Sequence, residues 1–111
     1  MFDDGRGVAQ DYAEAVRLYR LAAAQGHAGA QNKLGFMFEK GRGVAQDYAE
    51  AVRLYRLAAA QGHAYAQCHL GFMYQTGRGV AIDTAEATRL YRLAAAQGNA
   101  YATAELARLG A

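Results

Sequence analysis

The 111-residue chain has 12 lysines and arginines against 10 aspartates and glutamates, a formal charge of +2 and a pI near 8.8. That excess is too slight for nucleic-acid binding, which rests on a concentrated basic patch, and no apolar run approaches the roughly 18 residues of a membrane span. A composition 53% hydrophobic yet of mean hydropathy −0.17, with neither proline nor tryptophan, argues for a soluble, all-helical domain.

The start, Met-Phe-Asp-Asp-Gly-Arg-Gly-Val, lacks the charged-then-apolar order of a signal peptide. Cys68 is the single cysteine, so no intrachain disulfide is possible and the cellular compartment stays open. Residues 5–28 recur letter for letter at 41–64, and Gly5, Gly41 and Gly77 open units 5–40, 41–76 and 77–111, a period of 36 residues. Met1-Phe2 aligns with Met37-Phe38, so residues 1–4 read as the tail of a preceding unit's shorter helix.

The first expected helix spans about 11–25. Asp11 and Glu14 have the spacing of a capping box, Ala15, Leu18, Tyr19, Ala22 and Ala23 form one apolar stripe, and Gly26 is a stop signal. A shorter helix follows over 28–39, with Ala30, Leu34, Met37 and Phe38 on one side and Gly41 at its end. His27 precedes it where the third unit has Asn99, a favoured N-cap, so a helix-start role is expected for both. The pattern returns as helices near 47–61 and 64–75, opened by Asp47/Glu50 and His63. It returns again near 83–97 and 100–109, opened by Asp83/Glu86 and Asn99.

Helix pairs of this length cannot bury their faces alone; stacked units can. In the last unit Thr84 and Thr88 replace Tyr12 and Val16, and Arg108 replaces Phe36 and Phe72, which fits a terminal cap. The N-terminal side has no such substitutions, so homodimerisation or helix exchange between chains is expected there.

Residues 66–100, AQCHLGFMYQTGRGVAIDTAEATRLYRLAAAQGNA, resemble the Sel-one-like repeat (SLR) family, an α/α solenoid group related to tetratricopeptide repeats. The resemblance rests on Ala66, Leu70, Gly71, Tyr74, Gly77, Gly79, Val80, Asp83, Ala87, Tyr91, Ala94, Ala95 and Gly98. Leu54 and Leu90 stand where the family often has an aromatic. The resemblance implies a single domain over 1–111, a right-handed superhelical solenoid of 36-residue helix pairs with the shorter helices on the concave side. It also implies an adaptor for protein complexes, with no catalysis.

Units one and two differ only at 29/65, 32/68, 33/69, 38/74, 39/75 and 40/76. On a wheel turning about 100° per residue, Gly29, Asn32, Lys33, Glu39 and Lys40 share one arc opposite the apolar stripe of the shorter helix. This arc is expected to be exposed. A partner-binding groove is read from Asn32, Lys33, Glu39, Tyr65, Cys68, His69 and Gln75, with Phe36 and Phe72 mid-arc and Tyr101 in the third unit. Such a surface suits a helix or an extended peptide. Phe36 and Phe72 also read as packing between units, because the cap replaces them with Arg108. Exposed positions also drift after duplication, and a structural, consensus-like or designed module, or a fragment with no ligand, leaves the same trace. Both readings stand.

Other chemistry is set aside. Cys68 and His69 are adjacent on a helix and diverge by about 100°, so they do not converge on a metal. The Gly-Arg-Gly-Val turns lack the Gly-Lys-Ser/Thr of a phosphate loop. Arg17, Arg53 and Arg89, with Arg20, Arg56 and Arg92, form a ladder that Glu14, Glu50 and Glu86 partly neutralise, a solvated face. No nucleophile has an evident base, so neither an enzyme nor a cofactor is expected.

Overall fold

The computed structural model describes residues 5–110, with side chains described from Asp11 onward; Met1-Phe2, read above as a helix tail, lies outside the described residues. Six helices follow in order: α1 (Gly5–Ala24), α2 (Ala28–Lys40), α3 (Tyr48–Ala60), α4 (Ala64–Thr76), α5 (Thr84–Ala96) and α6 (Ala100–Leu109). Each packs chiefly on its neighbours in sequence, most closely α2 on α3 and α4 on α5. The expected alternation of longer and shorter helices is not seen at the centre of the stack, where α2, α3, α4 and α5 are 13 residues each. α1, α3 and α5 are called long and α2, α4 and α6 short only for their place in the repeat.

The junction inside each pair is closed by local bonding. Gly26, Gly62 and Gly98 adopt φ of +86°, +87° and +90°, as expected of stops. The following N–H, that of His27, His63 or Asn99, bonds back to Ala22, Ala58 or Ala94 at 3.2 Å, a Schellman closure. The same residue then opens the next helix: His27 Nδ1 accepts from the Ala30 N–H at 3.1 Å, His63 Nδ1 from Ala66 at 3.2 Å, and Asn99 Oδ1 from Ala102 at 2.8 Å. One residue ends one helix and starts its partner, which sets how the two cross.

The expected capping boxes are half built. Asp47 and Asp83 accept the Glu50 and Glu86 N–H groups at 3.0 Å. Glu50 and Glu86 do not reach back, because the Asp47 and Asp83 N–H groups already donate to the carbonyls of Phe38 and Tyr74. The glutamates turn instead to Arg53 and Arg89, at 2.6 Å.

The first helix departs from expectation more sharply. It starts at Gly5 rather than near residue 11, and Asp11 lies inside it instead of capping it. The same letters at 41–47 form a turn. There, α2 imposes the turn: Arg42 N–H bonds to Met37 O at 2.9 Å, Asp47 N–H to Phe38 O at 2.9 Å, and Gln46 Nε2 to Glu39 O at 2.9 Å. The turn belongs to the end of the preceding short helix, not to its own letters.

Tyr55, Tyr91, Met73 and Val52 are fully buried, with Leu34, Leu54, Leu70 and Leu90 beside them. The turns seal the joints between units. Gly43 (φ +75°) lies against the Tyr12 carbonyl, 2.7 Å from where its Cβ would stand, and Gly79 (φ +73°) lies likewise 2.6 Å from that of Tyr48. A side chain there has no room, which accounts for the second glycine of each Gly-Arg-Gly-Val. This edge of the long helix therefore faces the next unit. In the last unit Thr84 is exposed and Thr88 half-buried, whereas Val16 and Val52 are buried. The opposite face of α1 is open: Leu18 is 50% exposed, against 2% for Leu54 and Leu90, which α2 and α4 cover.

Candidate functional site

The three short helices together line a cavity of about 560 Å³. α2 contributes Phe36, Glu39 and Lys40; α4 contributes Tyr65, Cys68, His69 and Phe72; the start of α6 contributes Asn99 and Tyr101. Of the groove residues expected from the sequence, Phe36, Glu39, Tyr65, Cys68, His69, Phe72 and Tyr101 line this cavity together. Lys33 is exposed and lines an adjoining hollow of about 350 Å³ with Tyr12 and Arg42. Asn32 and Gln75 line neither. Lys40 and Asn99 were missed as wall residues, although Lys40 stands on the varied arc.

The arc is not the uniformly exposed surface expected of it. Asn32, Glu39 and Cys68 are buried, at 6%, 5% and 5% exposure. The reason is hydrogen bonding between units. Asn32 Oδ1 meets His69 Nδ1 at 2.9 Å. Tyr55 OH donates to Glu39 Oε1 at 2.7 Å, and the second Glu39 oxygen faces Arg78 at 3.8 Å. The Cys68 thiol donates to Asn99 Oδ1 at 3.2 Å, and Tyr91 OH donates to Gln75 Oε1 at 2.6 Å. Glu39 and Gln75 are different letters doing one job, accepting a tyrosine hydroxyl from the next long helix. Lys33, Lys40, Tyr65 and Thr76 are exposed.

Phe36 and Phe72 do two things. Each carries an arginine from the next unit's turn, Arg42 at 5.6 Å from the Phe36 centroid and Arg78 at 5.1 Å from that of Phe72. The packing between units read from Arg108 is therefore present. Both rings are only half-buried and also face the cavity, where Lys40 Nζ lies 5.6 Å from the Phe36 centroid.

Burial holds the His69 imidazole below its ordinary pKa, and neighbouring Glu39 opposes that effect. With Asn32 Oδ1 as acceptor, Nδ1 carries the proton and Nε2 the lone pair. Burial, reinforced by the Glu105 charge, pushes the Cys68 thiol up to about 11, so it is a neutral donor rather than a thiolate. Cys68 and His69 point their polar atoms at different partners on different units.

The other side of the stack repeats itself. Two grooves of about 470 Å³ each run between successive long helices, lined at equivalent positions by Arg20 or Arg56, Glu50 or Glu86, and Leu57 or Leu93. Arg17, Arg53 and Arg89 pair with their own helix's glutamates at 2.6 Å. Arg20 and Arg56 lie over the rings of Phe38 and Tyr74, at 5.5 and 5.8 Å. Five of the six ladder arginines are thus neutralised or stacked, and Arg92 has neither kind of partner among the described residues.

The family model described as Sel1 repeat matches residues 1–27, 28–63 and 64–99. The second match spans α2 and α3, and the third spans α4 and α5. Comparison with curated proteins finds no match. Among solved structures, c5321, a protective antigen of uropathogenic Escherichia coli strains displaying an SLR fold, is 43% identical over 86% of this chain and 20% of that one, with a TM-score of 0.84. A Sel1 repeat protein from Oxalobacter formigenes is 37% identical over 91% of this chain and 42% of that one, at 0.85. Helicobacter pylori cysteine rich protein B, at 22% identity, 82% and 68% coverage and a TM-score of 0.77, shares the fold. The chain thus spans less than half the length of the first two. Three consecutive repeat matches and helix pairs stacked as in these structures lead to one conclusion: the chain belongs to the Sel1 repeat family.

Proposed function

We propose that this chain is a non-catalytic binding module whose concave, short-helix face holds a peptide or a segment of a partner protein. Sel1 repeats typically mediate protein interactions. The observation that carries the reading is the convergence of aromatic side chains on one cavity built by three helices, with Tyr65 and Tyr101 left 65% and 50% exposed. Scattered exposed apolar groups are ordinary; aromatics gathered around one concavity are what binding hot spots are made of. Phe36, Tyr65, Phe72, Tyr101 and Lys40 touch the partner and Lys33 flanks it. Asn32, Glu39, Cys68 and Gln75 tie the units together and hold the wall in shape, and His69 does both. A neutral thiol that donates to Asn99 is not a nucleophile, which favours binding over catalysis.

The test is selection of a displayed random peptide library on the protein, followed by titration of the winners against a Tyr65→Ala/Phe72→Ala variant. Loss of one hot spot weakens binding about tenfold or more, with the far-ultraviolet circular dichroism unchanged. Peptides that bind parent and variant alike would overturn the reading.

The open face of α1 supports a second reading, self-association. Residues 12–24 repeat 48–60 letter for letter, and the face of α3 equivalent to that of Leu18 is covered by α2. The complement to α1 therefore exists within the chain, and exchange of a short helix between two copies supplies it. Sedimentation mass should rise with concentration and return to the monomer value in Leu18→Glu; a monomer mass throughout would count against it.

A further inference from the structure

The cavity is more selective in chemistry than in shape. Its walls are the rings of Phe36, Tyr65, Phe72 and Tyr101, and its volume of about 560 Å³ suits a large side chain. Its floor is polar, but almost every floor group is spent. The Cys68 thiol donates to Asn99, whose oxygen also caps Ala102. Glu39 is taken by Tyr55 and Arg78. His69 Nδ1 is taken by Asn32.

Two atoms are exceptions, the acceptor His69 Nε2 and the donor Asn99 Nδ2. Nε2 makes no hydrogen bond among the described residues, yet no buried side-chain polar atom there lacks a partner. Nε2 is therefore not sealed off, and His69 lines the cavity. Asn32 fixes it as a lone-pair acceptor, and burial keeps the ring neutral. An acceptor on the floor of an aromatic cavity calls for a donor on an aromatic occupant. Phenylalanine has no donor, and a serine leaves the walls unfilled. Lysine or arginine would bury a charge beside Lys40.

The rim adds a second requirement. Lys33 and Lys40 are exposed and seven residues apart on α2, so they sit on one side about 10 Å from each other. The carboxylate beside them, Glu39, is buried and paired. At the far end Glu105 is paired with Arg108. Charge complementarity thus favours an acidic neighbour at the α2 end alone.

Resting on the peptide-binding reading above, we infer that the partner inserts a tryptophan or tyrosine side chain between Phe36, Phe72, Tyr65 and Tyr101. Its N–H or O–H donates to His69 Nε2, and an adjacent aspartate or glutamate lies against Lys40 and Lys33.

The chain has no tryptophan, so indole emission of a bound peptide is seen without background. The probes are blocked peptides of the form Gly-Asp-Asp-Trp-Gly, their Trp→Phe form in competition, and their Asp→Lys form. The acidic tryptophan peptide should bind with blue-shifted emission, and each altered peptide should bind about tenfold or more weakly. His69→Phe should erase the preference for tryptophan over phenylalanine. Lys40→Gln, at an exposed position that leaves folding undisturbed, should reduce the preference for aspartate over lysine. Equal affinity of the Phe or Lys peptides overturns this inference. Library peptides that bind through Tyr65 and Phe72 without an aromatic donor overturn it while sparing the peptide-binding reading. Failure of every peptide, library members included, overturns both.

Discussion

Gly35 lies beneath the ring of Tyr55 so closely that a Cβ would stand 2.9 Å from ring carbons Cδ1 and Cε1, and Gly71 repeats this beneath Tyr91 at 3.0 Å. Neither ring has room to retreat, since both tyrosines are fully buried and each hydroxyl is held by the preceding short helix. In mid-helix, glycine ordinarily costs about 1 kcal/mol relative to alanine. Here overpacking, typically about 1–3 kcal/mol, outweighs that gain, so Gly35→Ala and Gly71→Ala should lower stability in urea unfolding. The third-unit counterpart, Ala107, is exposed. Ala107→Gly should cost about 0.5–1 kcal/mol through backbone freedom alone. Stabilisation by Gly35→Ala would show that the ring yields.

Tyr55 and Tyr91 donate to chemically different acceptors, the buried Glu39 carboxylate and the half-buried Gln75 amide. Tyr55→Phe leaves a buried carboxylate short of a donor, a loss of about 1–3 kcal/mol. Tyr91→Phe should cost less, because solvent reaches Gln75. Matched denaturant midpoints for the two variants would refute this ranking.

His63 must be unprotonated at Nδ1 to cap α4, and burial, aided by the His27 charge, lowers its pKa from the ordinary 6.5. His69 is lowered too, chiefly by burial. Below about pH 6.5 the unfolded chain binds protons first, so stability should fall as pH drops from 6.5 through the depressed folded values. Glu50 and Glu86, lowered from 4.5 by their arginines, act at more acid pH. His63→Asn, copying the cap that Asn99 makes, should reduce the slope between pH 7.5 and 5. A melting temperature flat across that range in the parent would contradict the assignment.

Leu18 and Leu54 occupy the same letter in identical stretches, yet one is half exposed and the other buried. Leu54→Ala should cost about 2–5 kcal/mol by opening a cavity, whereas Leu18→Ala should change the monomer's unfolding midpoint little. Equal losses would mean that the α1 face is covered in solution.

The helix pairs, their glycine stops and the His27, His63 and Asn99 caps were legible in the letters, because each is satisfied within a few residues of chain. The half-built boxes were not: the bond that displaces Glu50 comes from Phe38 O, on the preceding helix. The groove was legible as a place, since Tyr65, His69, Phe72 and Tyr101 do gather. Which varied residues face it was not, because Asn32, Glu39 and Cys68 are claimed by side chains 16 to 37 positions away.

By itself the sequence determined the repeat, the helix type and the local punctuation, all functions of short-range periodicity and backbone preference. Only the tertiary structure decided where α1 begins, which of two identical leucines is buried and which polar residues are spent. Identical letters meet different neighbours at different places in the stack, and burial and hydrogen-bond satisfaction are properties of the neighbours.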